Sequence, residues 1–118
     1  MESYAAAWNA PSHEECVELL AKAWAGEGEF VNPALEVPLV GIEALATYIA
    51  ETNEQFAGHL TVPVGEMVAH NSYALGAWRY VGPDGLTTVE GWTFMEFGES
   101  GLIRRVVQFF PVTLGADT

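Results

Sequence analysis

The chain has 118 residues, half of them hydrophobic, and four basic side chains against sixteen acidic ones, for a formal charge of −12. A nucleic-acid binder needs a basic footprint to displace counterions, and Lys22, Arg79, Arg104 and Arg105 cannot supply one. The same deficit excludes attraction to an anionic membrane surface, so neither nucleic acid nor membrane is expected as a partner.

The length suits one domain spanning residues 1–118, with ample apolar material for a core. Most of the acids are Glu, which fits a solvated shell. Cys16 is the single cysteine, and its helical spacing with Leu19 and Leu20 gives it a buried apolar role. No basic N-terminal stretch leads into an apolar run, and no apolar span reaches membrane length. A cytoplasmic protein is the expectation.

In chain order, YAAAWN at 4–9 reads as a short helix closed by Pro11. Ser12-His13-Glu14-Glu15 matches a capping box and opens a second helix. Its apolar stripe runs through Cys16, Leu19, Leu20, Ala23 and Trp24, and it is expected to stop near Gly26 and Gly28. Glu14, Glu15 and Glu18 lie early and Lys22 late, as the helix dipole prefers, with His13 facing solvent. The segment GEFVNPALEVPLVG follows at 28–41. Asn32-Pro33 within it is turn chemistry, so Asn32 either caps a local turn or stands in a pocket. Gly41 precedes a third helix with Ile42, Leu45, Ile49 and Phe56 on its apolar side and Tyr48 nearby.

From about Leu60 the apolar residues run in extended segments. Strands are predicted at 60–70, 73–81, 86–97 and 102–112, separated by the turn clusters Asn71-Ser72, Pro83-Asp84-Gly85 and Glu99-Ser100-Gly101. Short turns between successive strands imply an antiparallel meander, and helices followed by strands imply an α+β domain. The polar tail is expected to fray from about Gly115. Alternation in the third of these strands sends Val89, Gly91, Thr93, Met95 and Phe97 one way and Glu90, Trp92, Phe94 and Glu96 the other. Trp92 and Phe94, extended on the next strand by Ile103, Val107 and Phe109, form an outer apolar patch. Such a patch favours burial against a second copy, so a homodimer through Trp92, Phe94 and Phe109 is expected.

YAAAWN, FVNP at 30–33, the Gly41-Ile-Glu-Ala-Leu helix start, EGWTFMEF at 90–97 and GLIRRVVQFF at 101–110 occur in an order that resembles the nuclear-transport-factor-2-like superfamily, and within it the SnoaL-like group. The resemblance covers roughly residues 3 to 112. It implies a cone-shaped α+β fold, in which a curved antiparallel or mixed sheet wraps three N-terminal helices and encloses a mostly apolar cavity. The fold alone does not select a function, because the superfamily hosts isomerases, cyclases, dehydratases, epoxide hydrolases and non-catalytic modules.

Carried over residue by residue, Tyr4 matches the first-helix tyrosine of the ketosteroid isomerases, whereas Asn32 and Thr93 occupy their two acidic positions. An amide and a hydroxyl cannot shuttle a proton as carboxylates do, which argues against that activity. Asn32 also aligns with the water-holding asparagine of the family's epoxide hydrolases, but Gln108 stands where their last-strand Asp is needed, and no Arg-x-Asp occurs at 73–81. The acidic base of SnoaL-type polyketide cyclases meets the same gaps. The resemblance therefore places Asn32, Thr93, Gln108 and Tyr4 as uncharged polar groups in the cavity, beside Phe30, Met95, Val106 and Phe110. Against this, Asn32 capping a turn and Gln108 bonding buried backbone account for the same residues.

His59 and His70 are the remaining candidate bases, His59 near the expected pocket mouth and His70 at a strand end. A dehydratase-like chemistry would pair them with Tyr4, Tyr48 or Tyr73; turn-adjacent histidines are otherwise solvated. The histidines lack clustered carboxylate partners at ligand spacing, so no metal is expected, and no phosphate loop or nucleophile elbow is present. The function expected is cofactor-free binding of a small apolar molecule, with or without its turnover by an isomerase, cyclase or lyase reaction. The other class is an assembly module whose interior is filled by Trp78, Met95, Phe97 and Phe110.

Overall fold

The computed structural model describes residues 2–111; the tail from Gly115 lies outside the described residues. The elements are α1 (Glu2–Ala7), α2 (His13–Ala23), β1 (Trp24–Val31), β2 (Leu39–Val40), α3 (Ile42–Gln55), β3 (Leu60–His70), β4 (Tyr73–Val81), β5 (Thr87–Phe97) and β6 (Ile103–Phe109). One sheet runs in the order β2-β1-β6-β5-β4-β3. All its neighbours are antiparallel except β1 and β6, which run parallel. The sheet is mixed and does not close, leaving β2 and β3 as edges, and Pro63 is accommodated on the β3 edge.

Ser12 caps α2 as its sequence predicts, its Oγ accepting from the Glu15 N–H at 3.2 Å. The helix ends two residues earlier than the glycines suggest. Trp24 already has extended angles (φ −105, ψ 132) and begins β1, so the residue that completes the helical stripe is the first residue of a strand. The sequence reading lacks β1 for that reason, and it also lacks the two-residue β2. Between Trp24 and Glu29 the pairing of β1 with β6 is irregular. There the Trp24 indole lies so close to Gly28 that a Cβ on Gly28 would stand 2.5 Å from its Nε1.

The core lies between the helices and the inner sheet face, with Leu20, Leu45, Ile49, Phe30, Ile103 and Val106 fully buried. Aromatic contacts bind the layers: Tyr4 stacks on Trp24 at 5.8 Å, and Trp8, Phe30 and Tyr48 form a triangle of rings 5.7–6.3 Å apart.

Ile103 is a correction to the sequence reading, which puts it on the outer face. The antiparallel register of β5 and β6 shifts between Glu96↔Arg105 and Phe97↔Ile103, leaving Arg104 as an extra residue. That bulge reverses the alternation, so Ile103 turns into the core at 1% exposure while Arg104 and Arg105 both remain exposed. Both arginines grip one carboxylate. Arg104 Nη2 meets Glu96 Oε2 at 2.8 Å and Arg105 Nη1 meets Glu96 Oε1 at 3.2 Å, with Arg105 Nε reaching Glu29 Oε1 at 3.2 Å.

Candidate functional site

Asn32 follows the last residue of β1, where Pro33 forces the chain to turn. Its Oδ1 accepts from the Ala34 N–H at 2.9 Å, which fixes which end of the amide is the oxygen. Its Nδ2 then donates to the Tyr48 hydroxyl of α3 at 3.0 Å. Asn32 is thus a turn residue and a cavity residue at once. Because the Tyr48 oxygen is already accepting, its own O–H remains free to donate into the space it lines.

That space is a hollow of about 510 Å³ between α3, the β1 exit and the far ends of β4 and β5. Asn32, Tyr48, Gln55, His59, Tyr80 and Thr88 supply its polar lining. A second, smaller hollow of about 310 Å³ is lined chiefly by Tyr4, Met67, Gly76, Thr93 and Met95, and by the exposed Ala5, Pro63 and Gly65. The two chambers share Trp8, Thr61, Trp78 and Gln108 as common wall. No Asp, Glu, Lys or Arg lines either one.

The partition is built from short sequence features. Trp78 lies across Gly91, its cross-strand partner, where a Cβ would stand 2.6 Å from Trp78 Cζ2. Trp8 is held at the end of α1 by two asparagines. Asn53 Nδ2 donates to the Trp8 carbonyl at 3.0 Å. Asn9 makes a two-way bridge to Thr61, at 2.9 and 3.0 Å, which ties α1 to the start of β3.

Asn32, Thr93 and Gln108 are the buried polar residues of the described chain, 5%, 5% and 9% exposed. They do not share one chamber. Asn32 opens on the larger, Thr93 on the smaller, and Gln108, directly across from Thr93 in the sheet, on both. Among the described residues no protein group pairs with the Gln108 amide or the Thr93 hydroxyl. Tyr4 lines the smaller chamber, and burial pushes its hydroxyl pKa far above the ordinary value. The nearby Trp8 indole pulls weakly the other way without forming a well-aligned hydrogen bond. Burial likewise raises the Tyr80 hydroxyl, so both stay protonated donors.

Met95 and Phe110 line the smaller and larger chambers respectively. Phe30 stands behind the wall, enclosed by Trp8 and Tyr48, and Val106 is core. Trp78 is wall rather than filling. The two histidines part company. His59 lines the larger chamber, its ring stacked on Tyr80 at 4.8 Å and its Nδ1 at 3.1 Å from the Phe56 carbonyl. A carbonyl can only accept, so Nδ1 carries a proton, and in the neutral ring Nε2 holds the lone pair. His70 stands exposed at the end of β3, beside Asn71 and Tyr73, and lines neither chamber. Sequence reasoning passes over Trp8, Thr61, Tyr80 and Thr88 as site residues. The only available signal is that YAAAWN ends in an asparagine able to bridge two elements.

Among the described residues no group of three His, Cys, Asp or Glu is placed to hold a metal, and no helix is long and apolar enough to cross a membrane. On the outer face Trp92 and Phe109 are paired across β5 and β6 and are each 53% exposed, with Phe94 and Val107 partly buried beside them.

A six-stranded mixed sheet curved over three helices, with a hollow between the layers, defines an NTF2-like, cystatin-like α+β protein. The SnoaL-like domain model matches residues 1–106, and the chain belongs to that family. Among solved structures it is similar to a SnoaL-like family protein from Agrobacterium tumefaciens described as a candidate isomerase. The two share 28% identity over 94% of this chain and 93% of that one, with a TM-score of 0.86. A protein of ketosteroid isomerase-like fold from Catenulispora acidiphila, solved with trimethylamine, shares the fold at 15% identity over 95% and 85% of the chains, with a TM-score of 0.76. So does a candidate polyketide cyclase from Sinorhizobium meliloti, at 15% identity, 90% and 89% coverage and a TM-score of 0.68. No curated protein sequence matches the chain.

Proposed function

We propose that this SnoaL-like protein binds a small, largely apolar and uncharged molecule between its helices and sheet, without a cofactor. The supporting observation is the lining: two chambers walled by aromatic and aliphatic groups, with uncharged hydrogen-bonding side chains and no ionised one. The Tyr48 hydroxyl, oriented by Asn32, is the donor to an oxygen of the ligand, and Thr93, Gln108 and Tyr4 are further polar contacts. Small aromatic ketones are suitable probes, read through tryptophan fluorescence because Trp8 and Trp78 wall both chambers. A saturable response is expected, weakened about fivefold in Tyr48→Phe for one lost neutral hydrogen bond. No saturable response in the wild type overturns the reading.

A second reading, turnover by cofactor-independent proton transfer, is favoured by the His59 tautomer. An isomerase, cyclase or dehydratase-type lyase needs a base with an available lone pair at the pocket, and Nε2 of His59 provides one. The rate against pH should then show a step that vanishes in His59→Gln and persists in His70→Gln. Activity surviving His59→Gln removes His59 as the base.

Self-association is proposed for the outer face. Its strands β1, β6, β5 and β4 carry Arg79, Arg104 and Arg105 against Glu27, Glu29, Glu90 and Glu96, a local balance of −1 on a chain of −12. It is the surface on which two such molecules meet with little repulsion, and it holds the exposed Trp92–Phe109 pair.

A further inference from the structure

We infer that the ligand is elongated and spans both chambers, with an oxygen function at Gln108, which lines both, and an apolar arm in the smaller chamber. This rests on the binding reading above and specifies the molecule's shape. Three observations carry it.

The first is the division of labour between the chambers. The larger one gathers Asn32, Tyr48, Gln55, His59, Tyr80 and Thr88. The smaller one is bounded mostly by carbon, from Met67, Met95, Pro63, Gly65 and Gly76, with Tyr4, Thr61, Thr93 and Gln108 as its polar side chains. A compact polar ligand would leave the smaller chamber to about ten waters by liquid volume, facing mostly carbon. An apolar arm covers that carbon lining and leaves Gln108 and Thr93, paired across the sheet, to meet the oxygen function.

The second is Gln108. The residue is 9% exposed and lines both chambers, and its amide, which is not sealed off from the chamber space, has no protein partner among the described residues. A carbonyl or hydroxyl beside it can pair with that amide, whereas a plain hydrocarbon displaces its water and leaves it unpaired at a cost. The third is the size of the smaller chamber, which small residues set. Gly76 leaves room for Met67, whose Cε would stand 2.8 Å from an added Cβ, and Gly65 adds no side chain. Lengthening those residues would close the space that the arm occupies.

A homologous series of phenyl alkyl ketones tests this with the full chain. The phenyl ring suits the aromatic chamber near Tyr48 and His59, the carbonyl falls at Gln108, and the alkyl arm points inward. Affinity should rise about fourfold per added methylene until the smaller chamber is full, then level off or fall. Matched alkylbenzenes without the carbonyl should bind about fivefold more weakly than the ketones, and Gln108→Leu should abolish that preference. Thr93→Leu, which narrows the smaller chamber, should flatten the length dependence. The wild-type series and the alkylbenzene comparison need no variant, so a Thr93→Leu chain that does not fold leaves the test intact. Ketone binding with no dependence on arm length overturns the two-chamber inference and leaves the binding reading standing. Failure of every probe to bind overturns both.

Discussion

Asn32 of the β1 exit donates to the Tyr48 hydroxyl of α3 at 3.0 Å, while its own oxygen is committed to the Ala34 N–H at 2.9 Å. The relationship sets the polarity of the larger chamber, because the phenolic oxygen is used as an acceptor and presents only its proton. Replacing Asn32 by Asp keeps the Ala34 bond but turns the donor into a second acceptor, which captures the Tyr48 proton. Asn32→Asp should therefore fold, at a cost under about 2 kcal/mol, because the chamber admits solvent to the carboxylate. It should bind ketone probes about fivefold more weakly. Asn32→Leu loses both hydrogen bonds and leaves the Ala34 N–H without its acceptor, at about 2 kcal/mol or more. Denaturant unfolding that finds Asp as damaging as Leu would mean the chamber behaves as closed core.

The same contact shows what a sequence can and cannot disclose. Asn32-Pro33 announces a turn because Pro fixes its own φ and Asn bonds its own backbone, both of them local effects. Ser12 and the β3 to β6 meander are legible for the same reason, since cap, turn and alternation act within a few residues. Trp24 is not legible. It sits in phase with the α2 stripe, and what makes it a strand residue is pairing with Ile103, far along the chain. Ile103 is misread because one extra residue at Arg104, invisible to alternation, reverses the face. The division of the hollow into two chambers is hidden as well. It depends on Trp78 lying over Gly91 and on Asn9 bridging to Thr61, neither of which has a local period.

Two glycines separate backbone crowding from side-chain crowding. A Cβ on Gly91 would strike the Phe109 carbonyl oxygen and stand 2.6 Å from Trp78 Cζ2, and a paired backbone cannot retreat. Gly91→Ala should cost about 2 kcal/mol or more and disturb the wall between the chambers. A Cβ on Gly76 meets only the mobile end of Met67 at 2.8 Å, so Gly76→Ala should cost less than about 1 kcal/mol. Chemical denaturation of the two variants side by side checks the ranking, and equal costs would contradict it.

Glu96 supplies a pH signature. The Arg104 hydrogen bond is the largest cause holding its carboxyl below the usual value, with both arginines adding Coulombic support against a desolvation that works the other way. A folded-state pKa below the unfolded one contributes stability above the unfolded value, and that contribution is lost as pH falls through the folded value. The pair is open to solvent, so the contribution is about 1 kcal/mol at most. Wild type should exceed Glu96→Gln in melting temperature at pH 7, and the gap should close as the solution is acidified below about pH 4. A gap that persists at the acid end would assign the effect to packing instead of charge.

The outer face gives a test that separates association from solubility. Trp92 and Phe109 are each 53% exposed and face each other across β5 and β6, in a field where three arginines offset all but one of four glutamates. Burying this patch against a second copy gains apolar area, while the net negative charge of the two bodies opposes their approach over longer range. Added salt screens the second effect without weakening the first, so the dimer should tighten as ionic strength rises from low values. Phe109→Glu places a carboxylate in the middle of the patch and should yield a monomer at micromolar concentration with an unchanged melting transition in dilute solution. Sedimentation velocity on wild type and variant across a salt series decides it. A wild type that sediments as a monomer at micromolar concentration and every ionic strength leaves the Trp92–Phe109 face without a second copy to cover it.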